Sequence, residues 1–559
     1  MDENSFEQRG GWSSSWGFIL AAVGSAIGLG NIWRFPYMAY ENGGFAFLVP
    51  YFIALFVIGI PILIVEFGLG HRMKGSAPLA LRRVDRRFGW LGWWSVSFVM
   101  FGIVVYYTVV IAWCVDYMFL SFGRWWGSDP SSYFDKSFLG MPEMPAGGKT
   151  FRFGDIQWHI LGALAVVWLA NWFIITKGVR KGIETASKIF IPMLVIVTAV
   201  LVGWSLTLEG SGDGVSMYLN PGKADWDKLK DPEVWRSAVG QIFFTLSIGF
   251  GIMIAYASYL PKKANVTKNA VITALGNCGF SVFAGVAVFS AVGFAAASGM
   301  AVQEFGGPGL VFKTYPLILN RMPGGSIFGV LFFISLIIAG LSSSISIVEA
   351  FCAALLDHFN ISRRVSTTIL CTAAFLLGIP FVTGSGMYLL DVVDHFVNDY
   401  GLVLVGIFES IIVGWYFTAR RLRGHLDEAA DMRMSPTVDW LMRGVLTSLL
   451  GLTWYGLCRL GDTSSIGTQV AMLALLANIF LLWVEEHWLD FDIKIVIPAL
   501  LIYIFNAALT RELDKPYGGY NLNFVLVGPI WLGITLAAAF VLEKISAQRC
   551  DLNLPSEDD

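Results

Sequence analysis

Residues 24–36, GSAIGLGNIWRFP, interrupt an apolar run long enough to cross a membrane. The stretch makes a poor helix. Gly24, Gly28 and Gly30 each cost roughly 1 kcal/mol against alanine in a helix interior, and an Asn, an Arg and a Pro follow. In hydrocarbon, the backbone N–H and C=O groups freed by such a break find no water. The break is therefore tolerated only where protein encloses it around a cavity. One alternative is simple close packing through Gly24 and Gly28 as a small-xxx-small face. The stronger expectation is a binding site near the middle of the membrane.

The rest of the chain fits a membrane setting. Its 559 residues are 56% hydrophobic and 14% charged, against about 25% charged in soluble domains. A spanning helix needs about 20 mostly apolar residues. Candidate spans fall at 13–37, 44–69, 90–122, 157–176, 185–206, 234–260, 267–297, 326–358, 365–384, 388–418, 437–459, 465–484, 491–509 and 522–543. That makes an all-α polytopic membrane protein with about fourteen transmembrane helices. Twelve, with an interfacial or re-entrant tail, is the alternative, because 491–509 is short.

Charge sets the expected orientation. Arg72, Lys74, Arg82, Arg83, Arg86 and Arg87 follow the second span, and Arg or Lys clusters follow the fourth, sixth, eighth and tenth. The loops after spans one and nine hold neither residue. Even-numbered loops and the N-terminus are thus expected in the cytoplasm of a multi-pass plasma-membrane protein. Residues 1–11 are polar and acidic and do not read as a signal peptide. A net charge of −3 selects no partner, and neither nucleic acid nor a protein partner is expected beside the lipid bilayer. The six cysteines are scattered singly, without metal-binding spacing, and no structural disulfide is expected.

A second break, QIFFTLSIGFG at 241–251, opens the sixth span. Five spans separate it from the first break, so two repeats would lie in opposite membrane orientations. Interrupted spans at matching positions of two inverted halves mark a transporter's binding site. The expected organisation is a tail over 1–12, a first repeat over 13–206, and an outer loop over 207–233. A second repeat over 234–418, peripheral helices over 419–543 and a cytoplasmic tail over 544–559 complete it.

Residues 24–36, Glu41-Asn42-Gly43-Gly44, 239–259 and 339–344 resemble the neurotransmitter:sodium symporter family, whose structural reference is the bacterial leucine transporter. The resemblance covers residues 9–418 and implies a five-plus-five inverted-repeat core with broken helices 1 and 6. It implies no enzyme but a sodium-coupled symporter importing an amino acid by alternating access. One Na⁺ would bind the Ala26 carbonyl, Asn31, Thr245 and Asn277. A second would bind carbonyls of Gly24, Ile27 and Ala339 with the hydroxyls of Ser342 and Ser343; many relatives carry Thr where this chain has Ser342. Hard cations favour such oxygen ligands.

The implied substrate pocket comprises Ser25, Ala26, Gly28, Gly30, Ile103, Tyr107, Phe244, Thr245, Ser247, Phe250, Ser343 and Ile347. Monoamine carriers of the family have Asp at position 28. Gly28 instead leaves room for a substrate carboxylate, and the apolar lining suits a neutral, hydrophobic amino acid; larger-ring, taurine-like or GABA-like substrates stay open. Chloride-independent bacterial relatives carry Glu where this chain has Ser281. Ser281, with Tyr51, Gln241, Thr245 and Asn277, matches the chloride cage of the animal relatives, so Cl⁻ is a further expected ligand. Arg34 and Asp394 match an outer gate, and Arg9 and Asp357 an inner one, with Trp12 and Tyr259 nearby. Glu66, a carboxylate deep in the second span, is functional by default; in the family its position caps free backbone amides at the second break. A channel using the same carbonyls as a filter and a transporter-derived sensor are the rival readings. HExxH and GxSxG motifs, which would favour an enzyme, are missing.

Overall fold

The structure, a computed structural model, describes residues 11–142, 153–299, 307–418, 422, 425, 492–514 and 517–547. In hydrocarbon every backbone polar group must be satisfied within the chain, and helices do this segment by segment. Ten described helices are long and apolar enough to cross a membrane, and a bent pair forms one further span. That pair, Ser15–Ala26 and Leu29–Glu41, turns by 67° at the first break and is span 1. Spans 2 to 5 are Phe45–Met73, Gly89–Gly123, Trp158–Thr176 and Val179–Ser205. Span 6 consists of two pieces, Pro232–Thr245 and Ile252–Ser258, each too short to cross alone. Spans 7 to 10 are Val266–Ala297, Gly325–His358, Arg363–Val382 and Gly386–Phe417.

Spans 3 and 8 pack along each other at the centre. Of the most apolar stretch of span 3, 89% is buried, against 39% in each of spans 4 and 5. Span 3 is thus a core element, whereas spans 4 and 5 show a wide apolar face, including Leu169, Phe173 and Ile196, suited to lipid. Gly70 allows the close approach of span 2 to span 6: a Cβ there would lie 2.1 Å from the Ile254 carbonyl oxygen.

The expected spans 491–509 and 522–543 fall on helices Ile497–Asp514 and Val527–Ala547. Those expected at 437–459 and 465–484 lie outside the described residues, so neither a total of fourteen nor one of twelve follows from the structure.

Candidate functional site

The two breaks meet inside the bundle. Ser15–Ala26 stops where Ile27 turns extended, with φ −73° and ψ 106°, and Gly28 follows at φ −125° and ψ −169°. A new helix starts at Leu29, whose N–H donates to the Tyr107 hydroxyl at 3.1 Å. In span 6, residues 246–251 leave the helix, with Ser247, Gly249 and Gly251 at φ of 56°, 77° and 69°. Glycine adopts this left-handed region freely. Ser247 does so at a cost of roughly 1–2 kcal/mol, and strain of this kind concentrates at functional sites. The Gly249 N–H donates to Glu66 Oε1 at 2.7 Å, and the Glu66 side chain is fully buried. A carboxylate in the membrane interior thus satisfies a backbone group released by the break.

Between the breaks lies a small cavity of about 30 Å³. Ser25, Ala26, Gly28, Gly30, Ile103, Tyr107, Phe244, Thr245, Ser247, Phe250, Ser343 and Ile347 all line it. Asn31, expected as a cation ligand, also faces it, and so does Ile252, which sequence reasoning missed. An isoleucine in an apolar run gives no sign that it opens a half-helix beside a cavity.

Two clusters of oxygen-bearing groups flank the cavity. In the first, Asn31 Nδ2 donates to Asn277 Oδ1 at 2.8 Å and to Ser281 Oγ at 2.8 Å. Asn277 Nδ2 donates to Thr245 Oγ1 at 3.1 Å, and the Gly28 N–H donates to Asn31 Oδ1 at 2.8 Å. In the second, the Ser342 hydroxyl reaches the Ala339 carbonyl at 2.9 Å and the Ile27 carbonyl at 3.5 Å. The Ser343 hydroxyl lies 3.1 Å from the Ser25 carbonyl, 3.3 Å from that of Ile27 and 3.3 Å from that of Ala339. Gly24 sits against Ile191 and Ser342 beside this cluster. Buried carbonyls and hydroxyls gathered in this way form a donor set that fits a hard cation such as Na⁺.

Next to the first cluster, Tyr51, Gln241 and Ser281 are buried. The Tyr51 hydroxyl lies beside Cys278 and Ser281. That hydroxyl and both polar atoms of the Gln241 amide lack hydrogen-bond partners. Leaving such a group unpaired costs about 1–3 kcal/mol, and the Tyr51 hydroxyl and Gln241 Nε2 are donors of the kind an anion accepts from.

Of the four residues expected at the gates, Arg34, Asp394 and Asp357 are described. The Arg34 guanidinium rests over the Phe244 ring, 5.1 Å from its centroid. Asp394 accepts hydrogen bonds from the Tyr106 hydroxyl at 2.6 Å and from Asn398 Nδ2 at 2.8 Å. Among the described residues, no ion pair joins Arg34 to Asp394. The Trp12 indole N–H donates to the Tyr256 carbonyl at 2.9 Å, and its ring meets Phe18, Tyr256 and Tyr259 edge-on. The Ser13 N–H donates to Glu184 at 2.8 Å. Asp357 accepts from the Ser76 N–H at 2.8 Å, at the start of helix Ala77–Val84. Arg9 lies outside the described residues.

Opposed broken helices, a cavity between them and oxygen clusters on either side define a membrane transporter. Comparison with known proteins gives the family. The description "Sodium:neurotransmitter symporter family" matches residues 9–129 and 126–456, and the chain belongs to that family, one of sodium-coupled transporters and not of enzymes. An uncharacterized sodium-dependent transporter of Methanocaldococcus jannaschii is 38% identical over 97% of this chain and 99% of its own length. The sodium- and chloride-dependent taurine transporter of Rattus norvegicus is 31% identical over 78% of this chain and 75% of its own. The crystal structure of MhsT in complex with L-phenylalanine matches with a TM-score of 0.66 and 31% identity, covering 89% of this chain and all of that one.

Proposed function

We propose that this protein imports a neutral, hydrophobic amino acid together with Na⁺, requires Cl⁻ and works by alternating access. The apolar cavity shared by both breaks carries the reading. A molecule there would touch both half-helix pairs and both oxygen clusters. Freed N–H groups at half-helix N-termini face an anionic carboxylate favourably, and freed carbonyls face cations. Gly28 is central to this. A Cβ at that position would lie 2.9 Å from both Ser343 Oγ and the Tyr107 hydroxyl, so any side chain there would crowd two hydroxyls that line the cavity. Ile103, Phe244, Phe250 and Ile347 supply the apolar wall.

The complex of MhsT with L-phenylalanine supports an amino acid of this kind. Relatives named as taurine and GABA transporters support the second reading, a taurine- or GABA-like substrate. Thermal-shift measurements on the purified protein with each of the twenty amino acids, taurine and GABA separate the two. Stabilisation by hydrophobic amino acids in Na⁺ is expected; stabilisation by taurine or GABA alone would favour the second reading.

Two cations are assigned, one to Ala26, Asn31, Thr245 and Asn277 and one to Gly24, Ile27, Ala339, Ser342 and Ser343. Sodium and substrate bind the same broken helices, and the substrate carboxylate completes the first site. Each should therefore tighten the other's binding by the same factor. Ser342→Ala removes one oxygen from the second cluster. It should raise the Na⁺ concentration for half-maximal transport about tenfold, the equivalent of about 1.4 kcal/mol; an unchanged sodium dependence would remove Ser342 from the site.

Chloride is assigned to Tyr51, Gln241, Thr245, Asn277 and Ser281. The orphaned buried donors of Tyr51 and Gln241 support that assignment. Replacing chloride with gluconate should reduce uptake at least tenfold, and Ser281→Glu should restore uptake in gluconate by supplying a fixed negative charge. Uptake indifferent to gluconate would overturn the assignment. Arg34 with Asp394 and Arg9 with Asp357 are assigned as outer and inner gates in a plasma-membrane protein whose N-terminus is cytoplasmic.

A further inference from the structure

Helix Ile497–Asp514 packs against span 10 through apolar residues such as Leu501 and Phe505, and polar side chains join the two at and beyond its C-terminal turn. Both oxygens of Asp391 are held: Tyr517 donates its hydroxyl to one and Tyr520 to the other, each at 2.9 Å. The His395 ring lies flat on Tyr517, with centroids 3.7 Å apart and planes 6° apart. Its Nε2 is 3.1 Å from Glu512 Oε2 and its Nδ1 is 3.2 Å from Asp399 Oδ2. Glu512 also caps the Tyr517 N–H at 2.9 Å.

The contacts then run on to span 6. Arg236 pairs with Asp399 at 2.8 Å and forks onto Glu233, and Glu233 returns to Arg511 at 2.8 Å. Glu512, His395, Asp399, Arg236, Glu233 and Arg511 therefore close a ring through helix Ile497–Asp514, span 10 and span 6. Asp394 lies inside the same stretch of span 10, three residues after Asp391 and one before His395. Its carboxylate moves with any rotation of span 10 about its axis. Fixing Asp391 on one side of it and His395 on the other fixes that rotation. Hydrogen bonds to a charged carboxylate are short and about twice as strong as neutral ones.

We propose that helix Ile497–Asp514, with Tyr517 and Tyr520 beyond it, is a clamp that positions Asp394 for closure over the substrate, with Glu512, Tyr517 and Tyr520 as its positioning residues. The clamp rests on the reading of Arg34 and Asp394 as the outer gate. It gives the peripheral helix a part in the transport cycle, because its ring also holds span 6, which carries the second break.

The test measures release of bound substrate from the purified full-length protein. The protein is loaded in Na⁺ with radiolabelled L-phenylalanine, L-leucine or taurine, whichever it retains, and chased with unlabelled compound. Tyr517→Phe with Tyr520→Phe keeps both rings, including the stack on His395, and removes only the hydroxyls from Asp391. Release is expected to be at least tenfold faster than wild type, with equilibrium affinity falling through the off-rate alone. Asp394→Asn should release as fast, and adding it to the double variant should bring no further acceleration. Glu512→Gln, which keeps the shape and weakens the hold on His395, provides an independent variant and should also accelerate release. Wild-type release from both the double variant and Glu512→Gln, while Asp394→Asn releases quickly, would overturn the clamp and leave the gate standing. Wild-type release from Asp394→Asn would overturn the gate, and the clamp with it.

Discussion

A Gly30→Leu variant should reach the membrane in normal amount and show no sodium-driven uptake. A Cβ at Gly30 would lie 2.9 Å from Phe244 Cε1 and 3.2 Å from its Cδ1, closer than carbon atoms rest. Leucine adds three further carbons to that clash, directed at the cavity between the breaks. The ring it displaces also carries the Arg34 guanidinium, 5.1 Å from its centroid, so the cavity and the proposed outer gate are disturbed together. Folding should tolerate the change, because the affected atoms border a cavity and the spans around it are long and self-satisfied. Gly30→Ala places only the Cβ against the edge of a movable ring, and about a tenfold loss of uptake is expected. Surface labelling beside uptake of labelled amino acid in the same cells checks both variants. Normal transport by Gly30→Leu would mean that the cavity is not the substrate path.

The second large effect is expected at Glu66. Its Oε1 accepts the Gly249 N–H at 2.7 Å, at the turning point of the second break, and its side chain also contacts Glu409 of span 10. Glu66→Ala would leave that N–H unpaired in a buried place, at a cost of about 1–3 kcal/mol, and would open a void beside it. The break would then lose its fixed shape, and uptake should fall more than tenfold with a lower melting temperature. Glu66→Gln keeps an acceptor oxygen and the same volume. It should retain most activity, which distinguishes a capping role from a need for negative charge. Equal loss in both variants would contradict the capping role.

The expected and observed sites differ in instructive ways. The breaks were legible because glycine, proline and polar side chains have no stabilising role inside a membrane helix, so the glycines, Asn31 and Pro36 of 24–36 and the Thr245, Ser247, Gly249 and Gly251 of 241–251 stand out from apolar surroundings. The ten spans up to residue 418 were legible for the complementary reason, since hydrocarbon demands a minimum length of apolar helix. Individual cavity residues such as Ile103 and Ile347 came from the family resemblance, because an apolar side chain carries no local sign of facing a cavity. Ile252 escaped for that reason. That Arg34 rests on Phe244 while Asp394 is held by Tyr106 and Asn398 is a matter of side-chain geometry, which spacing along the chain does not give. The ring joining Glu233, Arg236, Asp399 and Arg511 was hidden by distance along the chain. Its members are ordinary surface charges until folding brings helix Ile497–Asp514 against span 10.

Sodium and substrate are proposed to bind one shared pair of broken helices, so that the sodium gradient drives accumulation. Proteoliposomes containing the purified chain, with chloride on both sides and labelled L-phenylalanine or L-leucine outside, test it directly. With an inward Na⁺ gradient the internal amino acid should rise above the external concentration, then fall back when a sodium ionophore collapses the gradient. Uptake that stops at equal concentrations, or proceeds equally with Na⁺ replaced by choline, would contradict the claim.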